Sequence, residues 1–139
     1  NEISNNECLV MNGDTLITGN INLMKKKLDI NNSELIRIGL IEVSNRSRYG
    51  GVIIDKNSYI INFLEKGATG KGLINTGLYK INKDIFKGIK SEIFSFEEFL
   101  SIEIKKNKSA KGVILNGSFI DIGIPEDFNF LCEHELDYV

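Results

Sequence analysis

The sequence predicts an α/β fold: a mixed, mainly parallel sheet covered by helices, with a β-hairpin inserted. Short apolar runs of strand length alternate with helix-start signals along the whole chain. One such run, Cys8-Leu9-Val10-Met11, is apolar on both faces, as a central strand lying between helices requires. Two others, Val52-Ile53-Ile54 and Tyr59-Ile60-Ile61-Asn62-Phe63, flank the turn sequence Asp55-Lys56-Asn57-Ser58 and together form a hairpin.

Asn12-Gly13-Asp14-Thr15 ends the first strand with polar turn residues, at the strand end where open α/β sheets hold ligands. Asn20 is placed to cap a helix carrying Ile21, Met24 and Leu28 on one face, with Lys25, Lys26 and Lys27 toward solvent. Residues 35–43 form the next strand, and residues 46–51 a polar loop. After the hairpin come Glu65 and Lys66, then a flexible loop marked by Gly67, Gly70 and Gly72. Residues 73–81 read as a strand interrupted at Asn75-Thr76-Gly77. Asn82 caps a short helix over residues 83–89. Ser95-Phe96-Glu97-Glu98 has the form of a capping box and starts a helix with Phe99, Leu100 and Ile102. A strand at residues 112–115, a turn at Asn116-Gly117 and a strand at residues 118–121 follow. Pro125, Glu126 and Asp127 open a last helix whose apolar face is Phe128, Leu131, Cys132 and Leu136.

The 139 residues read as one domain, with no repeat, low-complexity tract or linker. Apolar residues make up 42% and charged residues 26%, which gives enough material for a core and argues against disorder. A net charge of -2 argues against nucleic acid or an anionic membrane surface as partner. No apolar run is long enough to span a bilayer, and no leader precedes the first strand. Cys8 and Cys132, far apart and outside any metal-binding spacing, are expected to be buried, reduced thiols in a cytoplasmic protein. His134 lies in the last helix without a triad partner and reads as a surface or structural residue.

Two carboxylates stand out. Asp14 follows an apolar strand, and Asp121 does the same in Phe119-Ile120-Asp121-Ile122-Gly123, just ahead of a helix N-terminus. Strand ends at one edge of a sheet could bring them together. Two hard oxygen ligands, phosphate oxygens and water are what Mg²⁺ prefers, and such a cation offsets charge on a transferring phosphoryl group. Read alone, Asn12-Gly13-Asp14 is equally a β-turn. Glu65-Lys66 is equally an exposed pair of little energetic weight. Tyr49-Gly50-Gly51 is equally a turn, and Asn75 with Gly77 equally a strand bulge.

Six segments in order change that balance. They are Val10 to Asp14, Arg48-Tyr49-Gly50, Phe63-Leu64-Glu65-Lys66, Leu73 to Tyr79, Phe94 to Glu98, and Phe119 to Phe128. Together they resemble the sugar-1-phosphate nucleotidyltransferase family over nearly the whole chain. Within it they are most similar to bacterial guanylyltransferases of D-glycero-D-manno-heptose 1-phosphate, and mannose-1-phosphate guanylyltransferases are similar. The resemblance implies a Rossmann-like, three-layer α/β/α fold of the GT-A-like kind, with the N-terminal nucleotide-binding strands missing. It implies Mg²⁺ held by Asp14 and Asp121, and Asn12 and Gly13 at the substrate. Gly50 would let the backbone approach the sugar, and Glu65 would accept from sugar hydroxyls. Lys66 would contact the sugar phosphate or a hydroxyl, and Asn75 and Gly77 would line the sugar pocket. The substrates it implies are a nucleoside triphosphate, GTP by likeness, and a sugar 1-phosphate.

The family opens with a Gly-rich G-G-x-G-T-R segment that wraps the triphosphate. Nothing here resembles it, and residues 67–72 follow a hairpin rather than opening a helix. The chain is therefore expected to be incomplete for catalysis and to cover an open apolar sheet surface by self-association or with the missing N-terminal half. Rival readings are a non-catalytic sugar-phosphate-binding or regulatory domain, and a metal-dependent glycosyltransferase. The latter fits less well, because Asn12-Gly13-Asp14 supplies one carboxylate where those enzymes usually carry two.

Overall fold

The computed structural model describes residues 5–89 and 95–134. Phe94 and Leu136 lie outside the described residues. In chain order the strands are β1 (Glu7–Met11), β2 (Thr15–Ile17), β3 (Ile36–Val43), β4 (Gly51–Ile54), β5 (Ile60–Leu64), β6 (Gly72–Asn82), β7 (Ala110–Ile114) and β8 (Phe119–Asp121). The helices are α1 (Asn22–Lys25), α2 (Phe96–Asn107) and α3 (Pro125–Glu133). Short 3-10 turns cover Ile30–Asn32 and Lys83–Phe86.

β6 is the axis of the main sheet. β3 runs along one edge of it, while the other edge takes β4 at its start and β1 at its end. β5 extends the sheet beyond β4, and β7 extends it beyond β3. The predicted hairpin is the β4–β5 pair, with Val52 opposite Phe63.

The sheet is mixed, as expected, but it is not mainly parallel. Among the described residues only β3 and β7 run parallel. The hairpin returns β5 antiparallel on β4, whereas the parallel pair β3 and β7 is connected through β4, β5, β6 and α2.

Helices cover both faces, giving three layers. On one face Ile36, Ile38 and Leu40 of β3 pack with Tyr79 and Ile81 of β6 and with Leu100 and Ile104 of α2. On the other face Met24 of α1 packs with Ile41, Leu78 and Leu115. The expected Ser95 cap forms, with Oγ accepting from the Glu98 N–H at 3.3 Å. Asn82 caps its turn by accepting from the Asp84 N–H at 2.9 Å, although that turn is 3-10 and shorter than predicted.

Three local expectations are overturned. α1 is only four residues long, and Asn20 does not cap it. The Asn20 N–H instead donates to the Leu115 carbonyl, and the chain turns extended at Lys26. The carbonyls that end α1 are taken by cations from the sheet. Arg37 donates to the carbonyls of Leu23, Lys26 and Lys27 at 3.2, 2.8 and 3.1 Å, and Lys80 to that of Lys25 at 3.0 Å. Second, β1 is not central in this chain. It pairs only with β6 among the described residues, and Leu9, Val10 and Met11 are 50%, 40% and 56% exposed. Third, the cysteines are not both buried. Cys8 packs half-buried against the main core, but Cys132 is exposed, because α3 buries none of its residues. His134 is on the surface, stacked on Phe130 with its Nδ1 2.9 Å from the Phe130 carbonyl.

The charge of Arg37 is held deep in this arrangement. Its side chain is 9% exposed and pairs through two nitrogens with Glu34, itself 2% exposed, at 2.7 and 2.9 Å. Glu34 Oε2 also accepts from the Asp29 N–H at 2.8 Å. Removing one partner would strand the other in a dry site. Arg37→Ala is expected to lower the unfolding free energy by about 3 kcal/mol, read from the urea midpoint, and to cost more than replacing both partners with apolar residues.

Tyr79 gives a pH signature. Burial raises its phenol above the ordinary tyrosine value, with Glu97 adding to the rise and the hydrogen bond from Asn75 opposing it. A raised folded value favours the protonated form, so this contribution is present below about pH 10 and is lost as the pH climbs through the folded value. Urea melts from about pH 8 to about pH 11 should show the chain losing stability faster than Tyr79→Phe above about pH 10.

Candidate active site

The pairing of β2 with β8 builds one end of the site. Thr15 stands opposite Asp121, and the carbonyl of Asp14 accepts from the Ile122 N–H at 2.9 Å. The turn residues behind the pair lock it. Thr18 N–H donates to the Ser118 carbonyl at 3.0 Å, and the Ser118 N–H donates to Thr18 Oγ1 at 2.8 Å. A Cβ on Gly117 would fall 2.1 Å from the Thr18 carbonyl oxygen, so only glycine allows this approach.

The two carboxylates are thereby brought to one place. A Cβ on Gly123 would lie 3.1 Å from Asp121 Oδ1 and 3.5 Å from Asp14 Oδ2, so both oxygens border one small space beside that glycine. The Gly123 N–H donates to Asp121 Oδ1 at 3.0 Å, and Thr15 Oγ1 to Asp14 Oδ1 at 3.4 Å. Two anionic oxygens bordering one space repel each other, and a divalent cation would offset that repulsion. Among the described residues no group of three or more His, Cys, Asp and Glu side chains converges. A pair of carboxylates suits Mg²⁺, which keeps several waters and takes substrate phosphate oxygens.

These carboxylates face a cavity of about 350 Å³. Its location follows from the sheet. β4 and β1 share one edge of β6 but stop pairing at Ile74 and Leu78, so residues 75–77 have no strand partner on that side. On the opposite edge β6 bulges against β3 between Ile38 and Leu40. A bulge at a site rim re-aims side chains. Asn75 Nδ2 donates to the Tyr79 hydroxyl at 2.8 Å, and Asn75 Oδ1 accepts from the Gly77 N–H at 2.9 Å. Gly77 has φ +73°, and a Cβ there would sit 2.5 Å from Asn12 Nδ2, so glycine is required twice over. The Asn12 N–H donates to the Gly77 carbonyl at 3.0 Å.

Of the residues singled out in the sequence, Asn12, Asp14, Gly50, Glu65, Lys66, Asn75, Gly77 and Asp121 line this cavity. Gly13 does not; it is exposed, and a Cβ there would point into open space. The bulge expected at Asn75 and Gly77 is present, and both residues also line the cavity. Glu65 and Lys66 form no ion pair with each other among the described residues. Gly50 has a structural demand of its own, since a Cβ would approach the Leu64 carbonyl oxygen to 3.0 Å.

Sequence reasoning missed the wall from α2. Glu97 and Ser101 face the cavity beside the buried Leu100. The sequence signal was there, because Glu97 lies in the Ser95 capping motif, but that motif was already explained by helix initiation. Tyr49, Tyr79 and Phe119 also line the cavity, with Tyr49 edge-on to Phe119 at a ring separation of 5.4 Å. Beside Tyr49, Arg48 donates to Asp127 at 2.6 Å and to the Tyr49 hydroxyl at 3.1 Å. The Asp127 carboxylate, then the Tyr49 hydroxyl, hold the Arg48 guanidinium above its ordinary value.

The chain is 44% identical over 124 residues to D-glycero-alpha-D-manno-heptose 1-phosphate guanylyltransferase of Campylobacter jejuni, covering 88% of this chain and 53% of that protein. It is 38% identical over 122 residues to the protein of the same name from Aneurinibacillus thermoaerophilus, covering 86% and 52%. The crystal structure of HddC from Yersinia pseudotuberculosis matches with a TM-score of 0.78 at 34% identity, over 95% of this chain and 56% of that one. HddC has also been solved in complex with GMP-PN. The chain spans about half the length of these relatives. Its mixed sheet between helices is an α/β nucleotidyltransferase fold. Residues 1–136 match the nucleotidyl transferase family, and the chain belongs to that family.

Proposed function

We propose that residues 1–139 are the sugar- and metal-binding portion of a nucleotidyltransferase domain that makes a nucleotide sugar for surface polysaccharide. The observation that carries this is the cavity itself. One end of it bears Asp14 and Asp121, and its walls bear Tyr49, Glu65, Lys66 and Asn75. Its volume suits a small polar ligand. In the reaction, a phosphate oxygen of the sugar 1-phosphate attacks the α-phosphorus of a nucleoside triphosphate. The bond from that phosphorus to the bridging oxygen breaks, and pyrophosphate leaves. GTP is the proposed donor, supported by the guanylyltransferase relatives and by the GMP-PN complex of HddC.

Asp14 and Asp121 would hold Mg²⁺, whose charge would offset that of the phosphates. Glu65 accepts from sugar hydroxyls, and Lys66 donates to the phosphate or a hydroxyl. Asn75 is pre-aimed by its bonds to Tyr79 and Gly77, so it presents a fixed polar edge to the sugar. Asn12 and Gly50 complete the wall, and Gly13 supports the turn that carries Asp14. This portion binds sugar phosphate; turnover belongs to the full-length protein. A nucleoside triphosphate donor supports a cytoplasmic setting for it; no helix among the described residues is long and apolar enough to cross a membrane. The exposed apolar edge of β1 is covered either by the N-terminal half of the domain or by self-association.

Calorimetric titration with mannose 1-phosphate and D-glycero-D-manno-heptose 1-phosphate tests the reading. Binding is expected to require Mg²⁺ and to fall by at least about tenfold in Asp14→Ala and in Asp121→Ala. A folded chain that binds neither compound, or binds them equally well without Mg²⁺ and in both variants, refutes it.

A further inference from the structure

Asp127 is legible in the sequence only as an acidic residue at the start of α3. In the structure its carboxylate reaches two parts of the site at once. Oδ1 accepts from Arg48 at 2.6 Å, across 79 positions of sequence. Oδ2 accepts from the Tyr49 hydroxyl and from the backbone N–H of Asp121, both at 3.4 Å. Tyr49 and Gly50 are walls of the sugar cavity, and Asp121 carries one of the two paired carboxylates. Tyr49 is also pinned edge-on by Phe119, two residues before Asp121 on the same strand.

We propose that Asp127 is a positioning residue that ties the sugar-facing loop to the metal-facing carboxylate, so that loss of either tie loosens both ends of the cavity. This rests on the sugar- and metal-binding reading of that cavity. The Arg48 side chain is 45% exposed, and such an ion pair adds little to stability. Its consequence is geometric. The loop before β4 is tied on its other side to Gly70 and Gly67 through Arg46 and Ser47, and the β8–α3 corner that presents Asp121 is joined to it by the Asp127 carboxylate and the Tyr49–Phe119 ring contact. Groups that orient a metal-holding carboxylate commonly change metal affinity without touching the metal.

The test uses Mn²⁺ as a spectroscopic substitute for Mg²⁺, with binding read by electron paramagnetic resonance and sugar 1-phosphate binding read by calorimetry. Asp127→Ala and Asp127→Asn are expected to keep the circular dichroism and melting temperature of the parent while weakening Mn²⁺ binding about tenfold. Arg48→Ala, remote from any carboxylate pair in sequence, should weaken Mn²⁺ binding as well. The double variant should be no worse than either single one, as for two halves of one device. Glu126→Gln removes the same charge from the same helix turn and should leave both affinities unchanged, which separates the tie from the helix dipole. Unaltered Mn²⁺ affinity in a folded Asp127→Asn, or additive effects of Arg48→Ala and Asp127→Ala, overturns the inference alone. Failure of the parent chain to bind Mn²⁺ and either sugar 1-phosphate overturns it together with the reading of the site.

Discussion

The site depends on what β6 can and cannot pair with. This strand supports β3 along one edge and both β4 and β1 along the other. A strand has only one set of hydrogen-bonding groups on each edge, so two neighbours on the same edge must leave a junction. Here the junction falls at residues 75–77, and the bulge at the same place turns Asn75 and Gly77 toward the opening. The cavity is therefore a consequence of sheet pairing, and its floor is backbone that no strand covers. Gly77 is fixed by this geometry, since the backbone needs a positive φ and Asn12 occupies the space of a Cβ.

A second constraint closes the site. β2 and β8 are short strands that join the turn after β1 to the segment after β7. Neither would be stable alone, because a two-stranded pair is marginal in water. They are held by the close approach of Gly117 to Thr18 and by the packing of Leu115 against α1 and Ile41. The electrostatic consequence is that Asp14 and Asp121 share one space. The protein accepts that repulsion at one end of the cavity while pairing the buried Arg37 with Glu34 and three carbonyls. The second arrangement already satisfies its charge, whereas the first is where the proposed cation would be held.

Much of this was written locally. The hairpin turn at Asp55 to Ser58, the Ser95 cap and the Pro125 helix start are signals that act within a few residues, and the structure honours each. The order of motifs from Asn12-Gly13-Asp14 to Asp121-Ile122-Gly123 was sufficient to identify the family, which matches residues 1–136. The errors were also of one kind. β1 looked central because its residues are apolar on both faces, but burial depends on which strands arrive beside it. Cys132 looked buried because helix periodicity marks an apolar face without saying what packs on it. Asn20 looked like a cap because capping residues also serve in turns, and here its N–H meets Leu115 across the fold.

What the sequence determined by itself was the set of local elements, the family, and the residue types available for chemistry, since these rest on nearest-neighbour sterics, capping and periodicity. Tertiary structure decided strand direction, because direction depends on which strands meet, and β6 takes β1, β3 and β4 all antiparallel. It decided the meeting of Asp14 with Asp121 and of Arg48 with Asp127, because those contacts join segments far apart in the chain, and no local pattern encodes their separation. It also decided that Glu97 and Ser101 face the cavity, because a helix presents several faces and only its docking on β5 and the β6 junction selects one.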